Sequence, residues 1–209
     1  MIPKVIVQTS RNKPAQYIIN MIDELSPGWE YQHYNDSEVI NFFLKNPLSE
    51  FPDIVNKFFS FSYGEHRADL FRYYYLYVNG GVYFDTDAMI ETNIDNIVKT
   101  YEYFSVNSTY FPGTIFQGFI GCIKGHPIIY KGLKDIYNID NSVLIATPEN
   151  FHMICKNMYN FVNNYPSKNL IKLYEEIYGD PLTANVIDKN TKLLVLKHYH
   201  IKKIIPCRK

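Results

Sequence analysis

The sequence predicts an α/β domain: a mixed, mainly parallel central sheet flanked by helices, spanning residues 1–209 as one unit. Three observations carry this. Short β-branched or aromatic runs alternate with longer segments of helical period. The 209 residues suit one domain. Hydrophobic residues at 46% and charged residues at 20% match globular usage, which excludes a coiled coil, a collagen-like rod or a disordered chain.

The elements follow in order. Lys4–Thr9 is an apolar run that turns polar, as a buried first strand does. Pro14 opens a helix to about Leu25. Ser26-Pro27-Gly28 is a turn, and Trp29–Tyr34 alternates as a strand. Asn35-Asp36-Ser37 caps a helix over Glu38–Lys45. Ser49–Ser60 is Phe-rich and helical. Gly64–Val78 is the strongest helix, with Ala68, Phe71, Tyr75 and Leu76 on one apolar face. Asn79-Gly80-Gly81 ends it, and Val82-Tyr83-Phe84 is a short strand leading into Asp85-Thr86-Asp87. Tyr103–Val106 and Ile115–Ile123 are strands, and Pro127–Tyr137 and Pro148–Val162 are helices. Pro181 opens a helix to about Asp188, with Asp180 as its N-cap. Lys192–Leu196 is the last strand, before His198-Tyr199-His200 and a basic tail.

Composition limits the function. Lys+Arg and Asp+Glu are both 21, so no global field draws in nucleic acid or an anionic membrane. Phosphate binding must be local. Cys122, Cys155 and Cys207 are widely spaced and odd in number, which fits idle thiols of a reducing compartment. The first residues lack an apolar h-region, and no run of eighteen apolar residues occurs. The expectation is a cytoplasmic protein without a transmembrane segment, in a bacterium or in a host cell during viral infection.

The chemistry concentrates between residues 65 and 87. With 11 Asp in the chain, chance alone gives about half an Asp-x-Asp, so Asp85-Thr86-Asp87 gains value only from its context. It ends a strand, where ligands bind in open α/β sheets. Two neighbouring carboxylates there are either a solvated turn or a site for a hard divalent cation, Mn²⁺ or Mg²⁺. Asp69 and Arg72 are three apart on the preceding helix. They form a surface ion pair, or they bring a hydroxyl acceptor and a phosphate donor to the carboxylates. No second carboxylate marks a general base, and no Gly-x-x-x-x-Gly-Lys loop is present.

The segment Arg67–Asp87 resembles the signature of sugar-nucleotide glycosyltransferases with a DXD motif, of the OCH1-like mannosyltransferase and capsular-polysaccharide type. Ile2–Thr9 is similar to that family's opening, with Val7 where His is usual. Phe116–Gly121, Gly125-His126-Pro127 and, more faintly, Gly179–Thr183 resemble its later segments. The resemblance implies a GT-A fold, with a Rossmann-like nucleotide half joined to an acceptor half. It implies a nucleotide-diphosphate sugar donor, UDP- or GDP-linked, and usually Mn²⁺. The acceptor is then a glycan, glycolipid or glycoprotein, and the transfer retains anomeric configuration.

Carried over, Asp87 binds the metal directly, and Asp85 holds it through water or holds the ribose. Asp69 accepts from sugar hydroxyls and Arg72 positions the donor. Gln8 and Thr9 line the nucleotide pocket. His198 or His200 supplies a late ligand, with His198 favoured, and Lys202 reaches the diphosphate. Gln117 is an amide near the anomeric carbon or a strand residue bonding backbone. Asp180 is an N-cap or an acceptor-side base. One tyrosine of Tyr73-Tyr74-Tyr75 is available to stack on a base or sugar. The alternative to an enzyme is a non-catalytic sugar-nucleotide or glycan-binding module of the same descent.

Overall fold

The computed structural model describes residues 1–180 and 183–199, the Asp180 side chain excepted. A nine-stranded sheet runs in the order β2-β1-β3-β6-β5-β7-β8-β9-β4. Its strands are β1 (Val5–Thr9), β2 (Glu30–Tyr34), β3 (Gly81–Phe84), β4 (Ala88–Ile90), β5 (Tyr103–Asn107), β6 (Ile115–Cys122), β7 (Ile171–Asp180), β8 (Thr183–Ile187) and β9 (Leu194–Tyr199). The α/β class with a mixed sheet holds, but its parallel share is smaller than the sequence led us to expect. Only β1–β2, β1–β3 and β5–β7 are parallel. The β3–β6, β5–β6, β7–β8, β8–β9 and β4–β9 pairs are antiparallel. Hairpins in the second half replace the helical crossovers that parallel pairing would need.

The helices are α1 (Gln16–Leu25), α2 (Asp36–Lys45), α3 (Ile54–Ser60), α4 (Gly64–Asn79), α5 (Ile94–Val98), α6 (Pro127–Asn138), α7 (Asn141–Leu144), α8 (Pro148–Phe151) and α9 (Met153–Asn163). The α2 cap is a full capping box: Glu38 N donates to Asn35 Oδ1 at 3.0 Å and Asn35 N to Glu38 Oε2 at 2.8 Å. Two cores cover the two faces of the sheet. One gathers α2, α3, α4, α6 and α9 around Phe71, Tyr74 and Leu133. The other gathers α1 and α5 around Ile6, Phe84 and Phe104.

Three expectations fail. No helix follows Pro181 among the described residues, because Thr183–Ile187 is a strand that pairs back onto β7. Asp180, whose backbone pairs with Thr183, is therefore a strand residue and not a helix cap. Helix α4 also has no single apolar face, since Asp69 through Leu76 are all buried. It packs against α3, α6, β3 and β6 at once, so its tyrosines are core on every side.

The link from α4 to β3 sets up the site. Gly80 and Gly81 have φ of 70° and 108°. A Cβ there would lie 2.6 Å from the Lys124 backbone nitrogen and 2.5 Å from Val5 Cγ1, respectively. Only glycine allows this turn to pass so close to β1 and β6. No helix among the described residues is long and apolar enough to cross a membrane.

Candidate functional site

A cleft of about 880 Å³ opens beyond the carboxyl ends of β1 and β3, where open α/β sheets bind ligands. Thr9, Asp69, Arg72, Asp85, Asp87, Gln117 and His198 all line it. Residues scattered over 190 positions thus converge as the sequence led us to expect.

Asp85, Asp87 and His198 each offer one ligand atom, all within 4.8 Å of one another. His198 Nε2 is 3.5 Å from Asp87 Oδ1. Strand β9 delivers the imidazole: His198 pairs with Ala88 across the ladder, and Tyr199 N donates to Asp87 O at 3.0 Å. Burial pulls the His198 pKa down, but its bond to Asp87 and the charges of Asp87, Asp85 and Glu176 outweigh this and raise it. A small divalent ion with bonds of about 2.1 Å spans at most about 4.2 Å between opposite ligands. Side-chain rotations of a few tenths of an ångström bring this trio onto such an ion. Two carboxylates and one imidazole are a donor set that Mn²⁺ accepts.

Asp85 is built in from three sides. Tyr83 Oη donates to its Oδ1 at 2.8 Å, and Arg72 Nη2 donates to the same oxygen at 3.3 Å. Gly118 covers the other oxygen, since an added Cβ would sit 2.5 Å from Oδ2. The backbone is fixed too: Asp85 N donates to Gly118 O at 3.0 Å and Gln8 Nε2 to Asp85 O at 3.3 Å. Gln8 therefore departs from its expected place. It is fully buried, held by Tyr31 Oη at 2.8 Å, and buttresses Asp85 from behind without lining the cleft. Thr9 does line it, while its hydroxyl donates to Tyr34 O at 2.8 Å.

Arg72 is 4% exposed and heavily committed. It donates to Gln117 O, Asp85 Oδ1 and Ala68 O. Asp69 Oδ1 lies 3.5 Å from its Nε, and its guanidinium stacks 4.3 Å over the Tyr83 ring. Burial lowers its pKa, yet Tyr83, Asp85 and Asp69 together raise it, so its charge is secure. Of the two readings of Asp69 and Arg72, the exposed surface pair does not hold: both side chains are buried beside Asp85. Burial raises the Asp69 pKa against the opposing pull of Arg72 and His66.

Gln117 is 6% exposed. Tyr73 Oη donates to its Oε1 at 2.5 Å, while its Nε2 meets no oxygen or nitrogen acceptor among the described residues. A buried amide N–H₂ left without an acceptor is rare, and here it borders the cleft. Tyr73, Tyr74 and Tyr75 bond Gln117, Asn46 and Gln32 respectively, and none of the three lines the cleft. Of the remaining expected residues, His200 and Lys202 lie outside the described residues, as does the Asp180 side chain. Sequence reasoning missed Tyr83, Gly118 and Glu176. Tyr83 and Gly118 stood in the motif segments and were read only as strand residues. Glu176 sits in β7, a strand the sequence reading did not find.

Residues 12–104 match the model of the glycosyltransferase sugar-binding region containing a DXD motif. Inositol phosphoceramide mannosyltransferase 3 of Schizosaccharomyces pombe is 28% identical over 140 residues, 65% of this chain and 37% of that protein. The mannosyl phosphorylinositol ceramide synthase CSH1 of Saccharomyces cerevisiae is 29% identical over 140 residues, 65% of this chain and 35% of its own. The chain thus spans little more than a third of the length of these curated relatives. Among solved structures, the PaToxG glycosyltransferase aligns with a TM-score of 0.51 at 17% identity, covering 80% of this chain and 72% of that one. That likeness shows the fold. The sequence matches agree with the Asp85-x-Asp87 site: residues 12–104 are similar to the glycosyltransferase sugar-binding region with a DXD motif, and the chain resembles curated mannosyltransferases over about two thirds of its length.

Proposed function

We propose that the protein transfers a hexose or deoxyhexose from a UDP- or GDP-linked donor to a glycan, glycolipid or glycoprotein acceptor, with divalent-metal dependence and retention. The observation that carries this is the meeting of Asp85, Asp87 and His198 in one cleft with the buried Asp69–Arg72 pair. The names of the curated relatives favour mannose as the sugar and an inositol-bearing lipid as the acceptor.

Asp87 and His198 would hold the cation, with Asp85 as third ligand. A cation bound there supplies charge neutralisation for the departing diphosphate. Thr9, at the end of β1, faces the nucleotide. Asp69 accepts hydrogen bonds from donor-sugar hydroxyls. Arg72 acts through its neighbours: it holds Asp85 and the Gln117 backbone in place and offsets the carboxylate charge. The Gln117 Nε2 donates toward the reacting end of the sugar. Retention fits a front-face path in which the departing phosphate oxygen takes the acceptor proton.

Thermal shift against UDP-, GDP-, dTDP- and CMP-sugars, with and without Mn²⁺, tests the reading on wild type and Asp87→Ala. Saturation at a hundredfold over Kd adds about 2.7 kcal/mol. The expected result is a Mn²⁺-dependent shift with one nucleotide class, absent in Asp87→Ala, together with release of the nucleoside diphosphate. A shift without turnover for any acceptor would leave a binding module. A shift indifferent to Mn²⁺ and Asp87 would remove the metal from the proposal.

A further inference from the structure

Arg11 is a cation that the site described above leaves unspent. Among the described residues the cleft wall carries six carboxylates, Asp36, Glu65, Asp69, Asp85, Asp87 and Glu176, against three arginines and no lysine. Two of the arginines are committed. Arg72 is shared between Asp69, Asp85 and the Gln117 carbonyl. Arg67 donates to Phe61 O at 3.0 Å, lies 4.0 Å from Asp36 Oδ2 and stands over the Phe58 ring. Arg11 lines the same cleft, is exposed, and makes no ion pair, side-chain hydrogen bond or ring contact among the described residues.

The backbone around Arg11, by contrast, is held on both sides. Thr9 Oγ1 and Ser10 N both donate to Tyr34 O, at 2.8 and 3.2 Å. Ser10 Oγ donates its one proton to Asn12 O at 2.6 Å, so it accepts from His33 Nε2 at 2.9 Å. The loop after β1 is thereby tied to the end of β2. Strands β2, β1 and β3 run parallel, so their carboxyl ends share one edge of the sheet. There Gln8 Nε2 reaches Asp85 O at 3.3 Å. Arg11 is three residues beyond Gln8, at most about 11 Å of chain. A pinned loop thus carries an uncommitted guanidinium to the side of the cleft where the Asp85 backbone is anchored. A neutral sugar or an acceptor hydroxyl gains little from a solvated guanidinium. A diphosphate gains a charge-assisted partner with two donors in a fixed fork. A wall with more carboxylates than arginines also repels that anion unless a cation meets it.

We propose that the Arg11 guanidinium is a donor-binding group that pairs with the diphosphate of the nucleotide sugar. The assignment rests on the glycosyl-transfer reading above. The test is isothermal titration of UDP, GDP and dTDP, each with Mn²⁺, into wild type, Arg11→Ala and Arg11→Lys at low and high salt. For the nucleotide that wild type binds, Kd should rise about tenfold or more in Arg11→Ala. Arg11→Lys keeps the charge without the fork, and its Kd should fall between those two. Binding to Arg11→Ala should also respond less to added salt than binding to wild type, because one ion pair is gone. Arg11 is a surface residue, so the ligand-free Arg11→Ala protein should melt within about 2 °C of wild type and bind Mn²⁺ alone no more weakly. A diphosphate Kd within about twofold of wild type in Arg11→Ala overturns the contact and leaves the transfer reading standing. Equal weakening in Arg11→Ala and Arg11→Lys with an unaltered salt response makes Arg11 a stacking contact and overturns the diphosphate assignment. Weaker Mn²⁺ binding or a lower Tm in Arg11→Ala overturns it too, since the loss would then lie in the metal site or the fold. A wild type that binds none of the three diphosphates sinks both the contact and the transfer reading.

Discussion

Replacing Arg72 by methionine removes the one guanidinium that joins Asp69, Asp85 and the Gln117 carbonyl. Methionine keeps the length and the apolar stem, so the change isolates the charge and its donors. Two carboxylates are then left facing each other at a mostly buried site. Breaking a buried ion pair from one side costs about 3–5 kcal/mol, because the remaining charge is uncompensated. In a domain of this size each kcal/mol moves Tm by about 2–4 °C, so the metal-free variant should melt about 6–20 °C below wild type. The deficit has a pH signature. Burial already raises the Asp69 pKa, and without the opposing pull of the guanidinium the folded Asp69 carboxyl binds its proton more tightly still. A group whose folded pKa is raised adds stability at low pH and loses it as pH rises through the folded value. The gap to wild type should therefore narrow from pH 8 to pH 5. Scanning calorimetry of both proteins in EDTA at the two pH values reads this directly. A Tm within about 2 °C of wild type, or a gap equal at both pH values, would refute the claim that Arg72 holds two otherwise uncompensated carboxylates.

Removing the third ligand with His198→Ala should weaken Mn²⁺ binding at least tenfold by isothermal titration; unaltered affinity would remove β9 from the metal site. In Gly118→Ala the new Cβ meets Asp85 Oδ2 at 2.5 Å and the Phe116 ring at 2.3 Å, an overpacking cost of about 1–3 kcal/mol. Because Asp85 must turn away, Mn²⁺ affinity should fall even where the fold survives, and an intact Mn²⁺ titration would contradict the close approach. His126 is fully buried, accepts from Ile128 N through Nδ1 at 3.2 Å as the α6 cap, and stacks on Tyr103. Burial lowers its pKa from 6.5 to about 4. A depressed histidine stabilises the fold above the unfolded pKa, and this stability drains as pH falls toward the folded one. About 2 kcal/mol should be lost between pH 7.5 and 5. His126→Asn keeps a cap and should flatten that part of a urea-melt pH profile, whereas a profile of unchanged slope would assign the acid loss elsewhere.

The donor half of the site was legible because it is nearly contiguous. One helix, one glycine turn and one short strand deliver Asp69, Arg72, Tyr83, Asp85 and Asp87 within 19 residues, so the local signals that fix those elements also fix the geometry. Position along the chain could not show that Asp69 and Arg72 are buried. Helix α4 is covered on all sides by packing partners whose places depend on sheet order, which periodicity does not encode. Strand β7 was missed for a related reason. Its run Lys172-Leu173-Tyr174-Glu175-Glu176 alternates poorly and carries adjacent charges. Those charges meet partners distant in sequence: Lys172 pairs with Asp188 at 2.9 Å, Glu175 with Lys189 at 2.8 Å, and Glu176 accepts from Ser108. Pro181 read as a helix start because proline there is ambiguous between an N1 position and a hairpin, and only pairing with β7 decides.

The same asymmetry explains how the cleft divides its work. The proposed metal ligands after β3 would need exact spacing, and a rigid buried unit provides it, with Tyr83, Arg72, Gln8 and Gly118 each limiting one motion of Asp85. The proposed third ligand, His198, arrives through strand pairing, since Tyr199 N donates to Asp87 O. Under the proposal, metal affinity would depend on the integrity of the β4–β9 ladder as well as on the motif. Elsewhere on the cleft wall, Phe111 comes from a loop and His152 from a helix end, and their rings stack. Exposed segments of that kind change sequence at little cost to the fold. Altering these rings should leave Asp85 where it is, because Tyr83, Arg72, Gln8 and Gly118 hold it independently of them.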